Sequence, residues 1–426
     1  MLSKRKILIL AVVALACQFA HAAGPSNKFE TNDGSESPKS CADSGTTPTA
    51  SCAQTPSADF DTKGRLWVTW VFQNRLYVQS SSDGGQHLSL PLAVNREPEK
   101  ILANGENRPK IKIGPEGQIY LTWSKSLDKD FSSDVRFSRS LDGGKTFSEP
   151  QTLNDNHLVI GHSFESLALD GGGKIFVAWL DARDAETAKT KREAYNGSSL
   201  YYTWSNNEGK SFESNVKAAD HTCECCRIQT AIDNDGMPVI TWRNIYSENI
   251  RDHAIVKLSN WSTPGKPIRV THDDWYIEGC PHHGPGFSIA SDGRYHLAWF
   301  SNTSDGPEVF YAYSDDKGAH FSKPEIAGYS QDRPSHPHVL SLGQSVYMVW
   351  LEFDGDTHLL KGKQSKDRGQ NWSGAMVLAK TTSKADSPFL IHHGDNVYVS
   401  WANKAEGLKV IPLNGTDSRV KVAALG

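Results

Sequence analysis

Two short stretches of the sequence concentrate residues that bind soft metal ions. "HTCECCRIQT" (residues 221–230) holds three cysteines within four positions, and "EGCPHHGP" (278–285) places a fourth cysteine beside two histidines. Thiolates and imidazoles together suit copper(I) or zinc, whereas a ligand set poor in carboxylates disfavours calcium and magnesium. The sequence therefore predicts a copper or zinc site whose candidate ligands are Cys223, Cys225, Cys226, Cys280, His282 and His283.

A covalent alternative stays open for the same cysteines. Their spacing is not the repeated Cys-x-x-Cys of a zinc finger, and exported proteins commonly pair their cysteines. A disulfide that joins Cys280 to Cys225 or Cys226 would fasten the two stretches together without a metal.

Arginines and carboxylates supply a second kind of chemistry. A planar guanidinium group binds a carboxylate through two parallel hydrogen bonds, so arginines gathered at one site indicate an anionic ligand. The candidate ligand-binding residues are Arg108, Arg183, Arg227, Arg243, His336 and Asp386. The candidates for catalysis are Arg108, Arg227, Glu165, Asp181 and Glu278. Local ion pairs, such as Asp181 with Arg183, are the structural alternative.

The N-terminus has the pattern of a secretory signal. Lys4, Arg5 and Lys6 precede an apolar run over residues 7–16, and small residues around Ala22 offer a cleavage site. A lipoprotein anchored through Cys17 is the less favoured alternative. The sequence thus predicts a signal peptide over 1–22, a flexible arm over 23–50 that a Cys41–Cys52 disulfide could hold, and a periplasmic or secreted protein.

Charge and hydropathy narrow the classes of partner. The formal net charge is −4, which gives no indication of nucleic acid or of an anionic membrane surface. After the N-terminal run, no segment reaches the 18 apolar residues of a membrane span, so no membrane insertion is expected. A small molecule, a glycan or a metal ion is the expected partner.

A repeat sets the architecture. Seven times, a glycine-containing turn leads into a short alternating strand that ends in tryptophan, as in "DTKGRLWVTW" and "GPEGQIYLTW". The final tryptophans recur every 51 to 63 residues, which fits one four-stranded propeller blade with its loops. They are Trp70, Trp123, Trp179, Trp242, Trp299, Trp350 and Trp401.

A second motif follows most copies of the repeat. "SLDGGKTF" (140–147), "SDDKGAHF" (314–321) and "SKDRGQNW" (365–372) share Ser-x-Asp-x-Gly-x-x-aromatic, and 81–88 and 205–212 are near-copies. The aspartate can bond backbone N–H groups while the glycine takes a positive φ, as a tight hairpin requires. The fourth copy of the repeat lacks this turn.

These turns resemble the Asp boxes, or bacterial neuraminidase repeats, of the sialidase-like superfamily. The resemblance implies an all-β propeller over residues 51–426 with Asp-box hairpins on the outer turns. The seven repeats predict seven blades, and the six blades of sialidases are the alternative. It also implies sialidase chemistry, in which three arginines grip a sialic acid carboxylate and a Tyr–Glu pair and an Asp catalyse hydrolysis. The nearest match to the family's Arg-Ile-Pro signature is "NRPKI", in which Arg108 precedes proline.

In a propeller, the first strand of each blade lines the central channel. A recurring proline (Pro56, Pro109, Pro285, Pro337, Pro388) is expected at the first residue of these inner strands, because it lacks an N–H donor. The residues just before it should form a ring: Thr55, Arg108, Phe164, Arg227, Gly284, His336 and Ser387. The "CECC" and "EGCPHHGP" stretches then open neighbouring inner strands.

The sequence favours an exported propeller whose central site of Cys, His and Arg binds a ligand or a soft metal such as copper or zinc. One alternative is an exo-sialidase or a related glycoside hydrolase. The sequence leaves open whether the protein is an enzyme. Another is a non-catalytic propeller that binds a glycan or a protein through rim aromatics such as Trp275 and Tyr276.

Overall fold

A computed structural model of the chain describes residues 48–414. The expected signal peptide (1–22), the arm as far as residue 47, and residues 415–426 lie outside this range. The regular structure of the described part is almost entirely strand, with the single α-helix α1 (Arg183–Lys191) and 3-10 turns at Ala50–Cys52, Ser247–Asn249 and Ser330–Asp332. Among the described residues, no helix is long and apolar enough to cross a membrane.

The strands form antiparallel sheets that follow one another along the chain. The first sheet contains β1 (Gln54–Phe60), β2 (Leu66–Phe72), β3 (Arg75–Ser81) and β4 (Leu92–Ala93). The second contains β5 (Lys110–Ile113), β6 (Ile119–Ser126), β7 (Ser133–Ser140) and β8 (Gln151–Thr152).

The next sheet is larger and has nine strands. They are β9 (His162–Leu169), β10 (Ile175–Asp181), β11 (Ser198–Ser205), β12 (Val216–Thr222), β13 (Gln229–Ile232), β14 (Pro238–Ile245), β15 (Arg251–Asn260), β16 (Thr263–Pro264) and β17 (Ile268–Arg269). Its two halves meet at one residue pair, Thr222 of β12 with Asn244 of β14.

Three further sheets complete the described chain. One contains β18 (Gly286–Ile289), β19 (Tyr295–Thr303), β20 (Gly306–Ser314) and β21 (Glu325–Gly328). The next contains β22 (Ser335–Leu342), β23 (Ser345–Phe353), β24 (His358–Ser365) and β25 (Met376–Thr381). The last contains β26 (Phe389–His393), β27 (Asn396–Asn403) and β28 (Gly407–Pro412).

The seven repeat tryptophans lie on the strands next to the inner ones and are at most 1% exposed. These strands are covered on both faces and are largely apolar, as in "LWVTWVF" of β2. Most of the indole N–H groups find a side-chain acceptor, for example Trp350 to Glu352 at 2.8 Å and Trp123 to Glu99 at 2.9 Å. The repeat therefore marks the packing between sheets.

The first and the last sheets pack against each other. Leu66, Val68 and Trp70 of β2 share one buried apolar cluster with Tyr398 of β27 and Leu408 of β28. The sheets of the described chain thus close on themselves.

The recurring prolines take two different positions at the starts of the inner strands. Pro109, Pro285 and Pro388 directly precede β5, β18 and β26. Pro56 and Pro337 instead lie inside their strands, each within a break in register of the pairing. The expectation of a first-residue proline is wrong for these two, because a bulge also leaves a backbone position without a ladder bond.

The residue before each bulge proline has a left-handed backbone. Thr55 has φ 42° and His336 has φ 50°, and Phe164 at the equivalent break in β9 has φ 56°. A bulge next to a functional site turns side chains that would otherwise alternate. Three of the predicted ring residues therefore share the same backbone conformation, a left-handed residue within a bulge.

Hairpins with the Ser-x-Asp-x-Gly sequence connect the third and fourth strands of their sheets. After β7, Ser140 Oγ donates to Asp142 at 2.8 Å and accepts from the Gly144 N–H at 2.9 Å. The Asp142 carboxylate also accepts from the Thr146 N–H at 3.0 Å. Equivalent bonds follow β3, β11, β20 and β24, at Ser81, Ser205, Ser314 and Ser365.

Candidate functional site

The starts of the inner strands are tied together by two buried arginines. Arg108, directly before β5, is 1% exposed and donates to the carbonyls of Gly105 at 2.8 Å and Pro56 at 3.2 Å. Its guanidinium also forms an ion pair with Asp386, ahead of β26. Arg108 therefore connects the first, second and last sheets at the ring that the sequence predicts.

The second arginine organises the opposite side of the ring. Arg227, directly after "CECC", forms an ion pair with Glu106 and donates to the Pro337 carbonyl at 2.8 Å. The same carboxylate accepts from the Gly284 N–H at 2.7 Å and lies 3.4 Å from His336 Nδ1. Burial works to raise the pKa of Glu106, but the Arg227 guanidinium and His336 hold it well below its usual range.

Both guanidinium groups also face one aromatic ring. The Phe389 ring centre lies 4.6 Å from Arg108 Cζ and 5.5 Å from Arg227 Cζ. Each arginine is thus buried, neutralised by a carboxylate and covered by a ring. Neither is free to grip an incoming carboxylate unless its partner moves, which differs from the role that the sialidase resemblance implies.

Three titratable side chains on the ring are only half-buried: Lys110, His283 and His336. The rings of His283 and His336 lie 4.5 Å apart, and that of His283 lies 4.0 Å from the Phe300 ring. Burial lowers the pKa of His283 well below its usual value, and His336 lowers it further, so His283 is a neutral imidazole at pH 7.

Lys110 is a weakened cation. Its Nζ lies 2.5 Å from the Arg108 carbonyl oxygen, and burial lowers its pKa to about 8, against the opposing effect of Glu165. Glu165 itself is completely buried and accepts a hydrogen bond from Ser124 at 2.6 Å. Burial raises the pKa of Glu165, which favours its protonated form.

Several buried polar atoms around the ring have no hydrogen-bond partner among the described residues. They are Thr55 Oγ1, Glu165 Oε1, Arg227 Nε and His283 Nδ1. Buried polar groups are normally bonded to protein or to ordered water. Four such atoms on four different inner strands or strand starts therefore mark a polar interior that a ligand or water would complete.

The cysteines of "CECC" form a separate cluster of buried thiols. Cys223 Sγ lies 3.7 Å from Cys225 Sγ and 3.6 Å from Cys226 Sγ, and all three side chains are at most 5% exposed. Hydrogen bonds from the Cys225 and Cys226 thiols hold the pKa of Cys223 well below its usual range. The cluster is buried beside Ile245.

A second group of donors adjoins the first through Cys225. The ligand atoms of Cys225, Cys280 and His282 lie within 4.8 Å of one another, with Cys280 exposed. Cys223, Cys225, Cys226 and Cys280 are all free thiols, so the expected Cys280 disulfide is not formed in the structure. His283 belongs to neither group. Cys52 is disulfide-bonded, while Cys41 lies outside the described residues.

Other candidate residues lie in local networks. Asp181 accepts from the Trp179 indole at 2.9 Å and pairs with Arg183 at 2.8 Å, and Arg183 also pairs with Asp155 at 2.9 Å. Arg243 donates to main-chain carbonyls, among them Phe300 at 2.7 Å. The contacts of Asp181 and Arg183 stay outside the ring, whereas Arg243 borders it, because it also donates to the His283 carbonyl at 3.0 Å.

The connection before β18 carries the last of the candidates. Tyr276 donates to Glu278 at 2.5 Å, and both are exposed, with Tyr276 showing 56% of its surface. Trp275 is 7% exposed and covers the Arg243 guanidinium at 5.0 Å, so it is not an exposed rim aromatic.

Sequence reasoning missed three residues of these sites, Glu106, Lys110 and His253, and it counted Arg251 among the available arginines without its contact to Cys223. Glu106 lies three positions before Pro109 and Lys110 directly follows it, whereas ring residues were expected only directly before the proline. Arg251 donates to Cys223 Sγ at 3.3 Å across 28 residues of chain, which no local pattern reports. His253 is completely buried, and burial and Arg243 hold its pKa well below its usual value.

A pocket of about 420 Å³ lies elsewhere, lined by residues that include Arg269, Asp273, Trp299 and Lys323. It shares no residue with the ring or with the cysteine cluster. Four unpartnered buried polar atoms belong to the ring, whereas none of the described side chains that line this pocket has one, which favours the ring as the site.

Comparison with solved structures shows the fold. An ulvan lyase of polysaccharide lyase family PL25 is 11% identical, with a TM-score of 0.55, and the alignment covers 85% of this chain and 94% of the lyase. The polysaccharide lyase Uly1 is 11% identical with a TM-score of 0.52, covering 84% and 90%. A Hadza microbial sialidase is 13% identical with a TM-score of 0.49, covering 82% and 76%. No family model and no curated protein sequence matches the chain. The chain has the fold of the β-propeller lyases.

Proposed function

We propose that this protein is an exported, glycan-active propeller that binds an anionic carbohydrate at the ring of inner-strand starts. The observation that carries the proposal is the set of unpartnered buried polar atoms at Thr55, Glu165, Arg227 and His283. A carbohydrate offers many hydroxyl and carboxylate groups, and its sites combine an apolar wall with a few polar atoms that fix orientation. The half-buried Phe389 supplies such an apolar face at the ring.

The charge balance of the ring favours an anionic sugar. Arg108 and Arg227 are matched by Asp386 and Glu106, which leaves the Lys110 ammonium in excess because the pKa of Glu165 is raised. In this account, Lys110 and His336 contact an acidic group of the ligand. The paired arginines fix the ring rather than hold the substrate.

The half-buried imidazoles supply the chemistry. His283 is a neutral base beside His336, and Lys110 can release a proton near pH 8. Such a pair of acid and base groups suits abstraction of a proton from an acidic sugar, or general acid–base cleavage of a glycosidic bond. Sialidase chemistry of the Tyr–Glu type gains less support, because the exposed Tyr276–Glu278 pair lies outside the ring contacts.

The test is a panel of glycans offered to the purified protein: a fluorogenic sialoside, uronate-containing polysaccharides and neutral polysaccharides. We expect the protein to cleave among the uronate-containing polysaccharides. New reducing ends and the ultraviolet absorbance of unsaturated products measure the cleavage. His336→Ala and Lys110→Met should each lower kcat/KM by about 10–100-fold. His392→Ala, an exposed histidine on β26, is the matched control and should change nothing.

Cleavage of neutral glycans alone would contradict the charge argument. Binding of acidic glycans without any cleavage would reduce the proposal to a non-catalytic propeller. If the protein hydrolyses the fluorogenic sialoside and Lys110→Met hydrolyses it equally well, the site lies away from the ring.

We also infer that the six sheets comprise seven blades. Supporting this, the inner position is filled by β1, β5, β9, β13, β18, β22 and β26, and one residue pair joins the halves of the nine-stranded sheet. The five hairpins that follow β3, β7, β11, β20 and β24 would then be Asp boxes on the outer turns, with Asn207 in place of the aspartate after β11. An experimental structure that shows six blades would overturn this count.

A further inference from the structure

The cysteine cluster has the spacing of sulfurs that share one metal ion. Two thiolates bound to one ion at about 2.3 Å in tetrahedral geometry lie roughly 3.8 Å apart. The Cys223 sulfur lies 3.7 Å from that of Cys225 and 3.6 Å from that of Cys226. A disulfide bond is close to 2.05 Å, so the three sulfurs converge without any two of them being joined.

The burial of the trio is asymmetric. Cys223 and Cys226 are each 1% exposed, whereas Cys225 adjoins the half-buried His282 and the exposed Cys280. A row of donors thus runs from the surface to the interior. An ion captured at Cys280 and His282 could pass to the inner trio through Cys225, which belongs to both groups.

The surroundings provide countercharge for thiolates. Arg251 is 5% exposed, donates to Cys223 Sγ at 3.3 Å and lies 3.6 Å from the Glu224 carboxylate. Buried anionic sulfur is costly unless a cation accompanies it. A monovalent ion held by several thiolates leaves a negative charge, which the guanidinium group can balance.

We propose that Cys223, Cys225 and Cys226 form a copper(I) site, loaded through Cys280 and His282. The sulfur-only inner group favours a soft ion. Among the described residues, no histidine, carboxylate or further cysteine joins these three sulfurs as a fourth donor, whereas a structural zinc site requires four ligands. Copper(I) accepts fewer ligands. The site shares no side chain with the glycan ring, although "CECC" directly precedes Arg227.

The test uses the full mature protein, reduced and handled without oxygen, with copper(I) as the probe. We expect one copper ion per chain to be retained against a competing copper(I) chelator, together with an ultraviolet thiolate-to-copper band. Cys226→Ser should weaken retention about 100-fold. Cys280→Ser, at an exposed position, should slow loading while leaving the number of bound ions unchanged.

Two controls separate binding from misfolding. His272→Ala changes an exposed histidine on the same connection and should load copper as the wild type does. Circular dichroism reports whether Cys226→Ser folds, and if it does not, the loading rate of Cys280→Ser still decides the matter. Glycan cleavage is measured separately on the metal-free protein, so either proposal can fail alone.

Three results would overturn the copper site. One is that the thiols stay fully reactive toward a thiol reagent after copper is added. Another is a preference for zinc over copper(I) in direct competition. The third is a disulfide among these four cysteines in protein purified from the exporting cell.

Discussion

At the scale of single residues, the ring depends on buried ion pairs whose partners no sequence pattern names. Arg108 and Arg227 could be placed on the ring from the recurring proline. Their neutralisation by Asp386 and Glu106 could not be foreseen, because those contacts span 278 and 121 residues of chain. The sequence therefore identified the arginines but misjudged their availability.

Glu106→Gln tests the organising role of that carboxylate. The substitution leaves the buried Arg227 guanidinium without its counter-ion, so we expect the free energy of unfolding to fall by about 3–5 kcal/mol. Urea denaturation measures this fall. Glu278→Gln changes an exposed carboxylate outside the ring and should have no measurable effect, and an equal loss in both variants would refute the role of Glu106.

Lys110 gives the ring a pH response. It faces Glu165, Arg108, Arg227 and Glu106, and it loses its proton as pH rises through about 8. Affinity for an anionic glycan should therefore be full below that pH and decline above it. Titration calorimetry across this range measures the change, and Lys110→Met should have uniformly weak binding with no step near pH 8.

The lowered pKa of Lys110 has the opposite effect on the free energy of unfolding, which rises with pH where glycan affinity falls. The lysine pKa is lowered in the folded state, from 10.5 to about 8, so the unfolded chain binds more protons between these values. The contribution of Lys110 to stability therefore rises with pH across that window. Comparing the wild type with Lys110→Met isolates this contribution from those of other lysines.

At the scale of elements, periodicity predicted more than it did for single residues. The tryptophan strands, the turns that follow them and the inner-strand starts are local features, and alternation and turn chemistry report them directly. The helix α1 was not foreseen, because "RDAETAKTK" interrupts the repeat between β10 and β11 without a strong apolar face. The bulges at Thr55 and His336 were also missed, since their positive φ angles occur at residues that rarely adopt them.

Gly284→Ala tests how closely the inner strands approach each other. A methyl group at this position would lie 2.3 Å from both Cγ and the carbonyl oxygen of Arg227, so the ring must shift. We expect a loss of about 1–3 kcal/mol in unfolding free energy. Gly279→Ala is the matched control on the same connection, where the nearest atom is 3.9 Å away. Equal stabilities of the two variants would show that the ring is looser than described.

At the scale of the whole molecule, the first sheet packs on the last, so we expect the sheets to unfold as one cooperative unit. This closure was expected only from the resemblance to propellers, since the buried contact joins β2 with β27 and β28 across the whole sequence. The number of sheets could not be predicted from the sequence, because the single Thr222–Asn244 pair joins strands of two repeats into one nine-stranded sheet.

Leu408→Ala tests that closure. Leu408 is 1% exposed within the cluster shared by the first and last sheets, so its truncation should cost about 2–5 kcal/mol. The unfolding transition should move as a whole and remain single when followed by tryptophan fluorescence and by circular dichroism. Leu90→Ala, at a position 90% exposed, should leave the transition unmoved. A separate early transition in Leu408→Ala would mean that the last sheet unfolds independently.

The most direct test of the whole account is a crystal structure of the protein with an acidic oligosaccharide from the panel. The account predicts sugar oxygens within hydrogen-bond distance of Lys110, His336 and the unpartnered His283 Nδ1, with the Arg108–Asp386 and Arg227–Glu106 pairs unbroken. Sugar bound instead in the pocket beside Arg269 and Lys323, or bound directly to Arg108 and Arg227 with their carboxylate partners displaced, would contradict it.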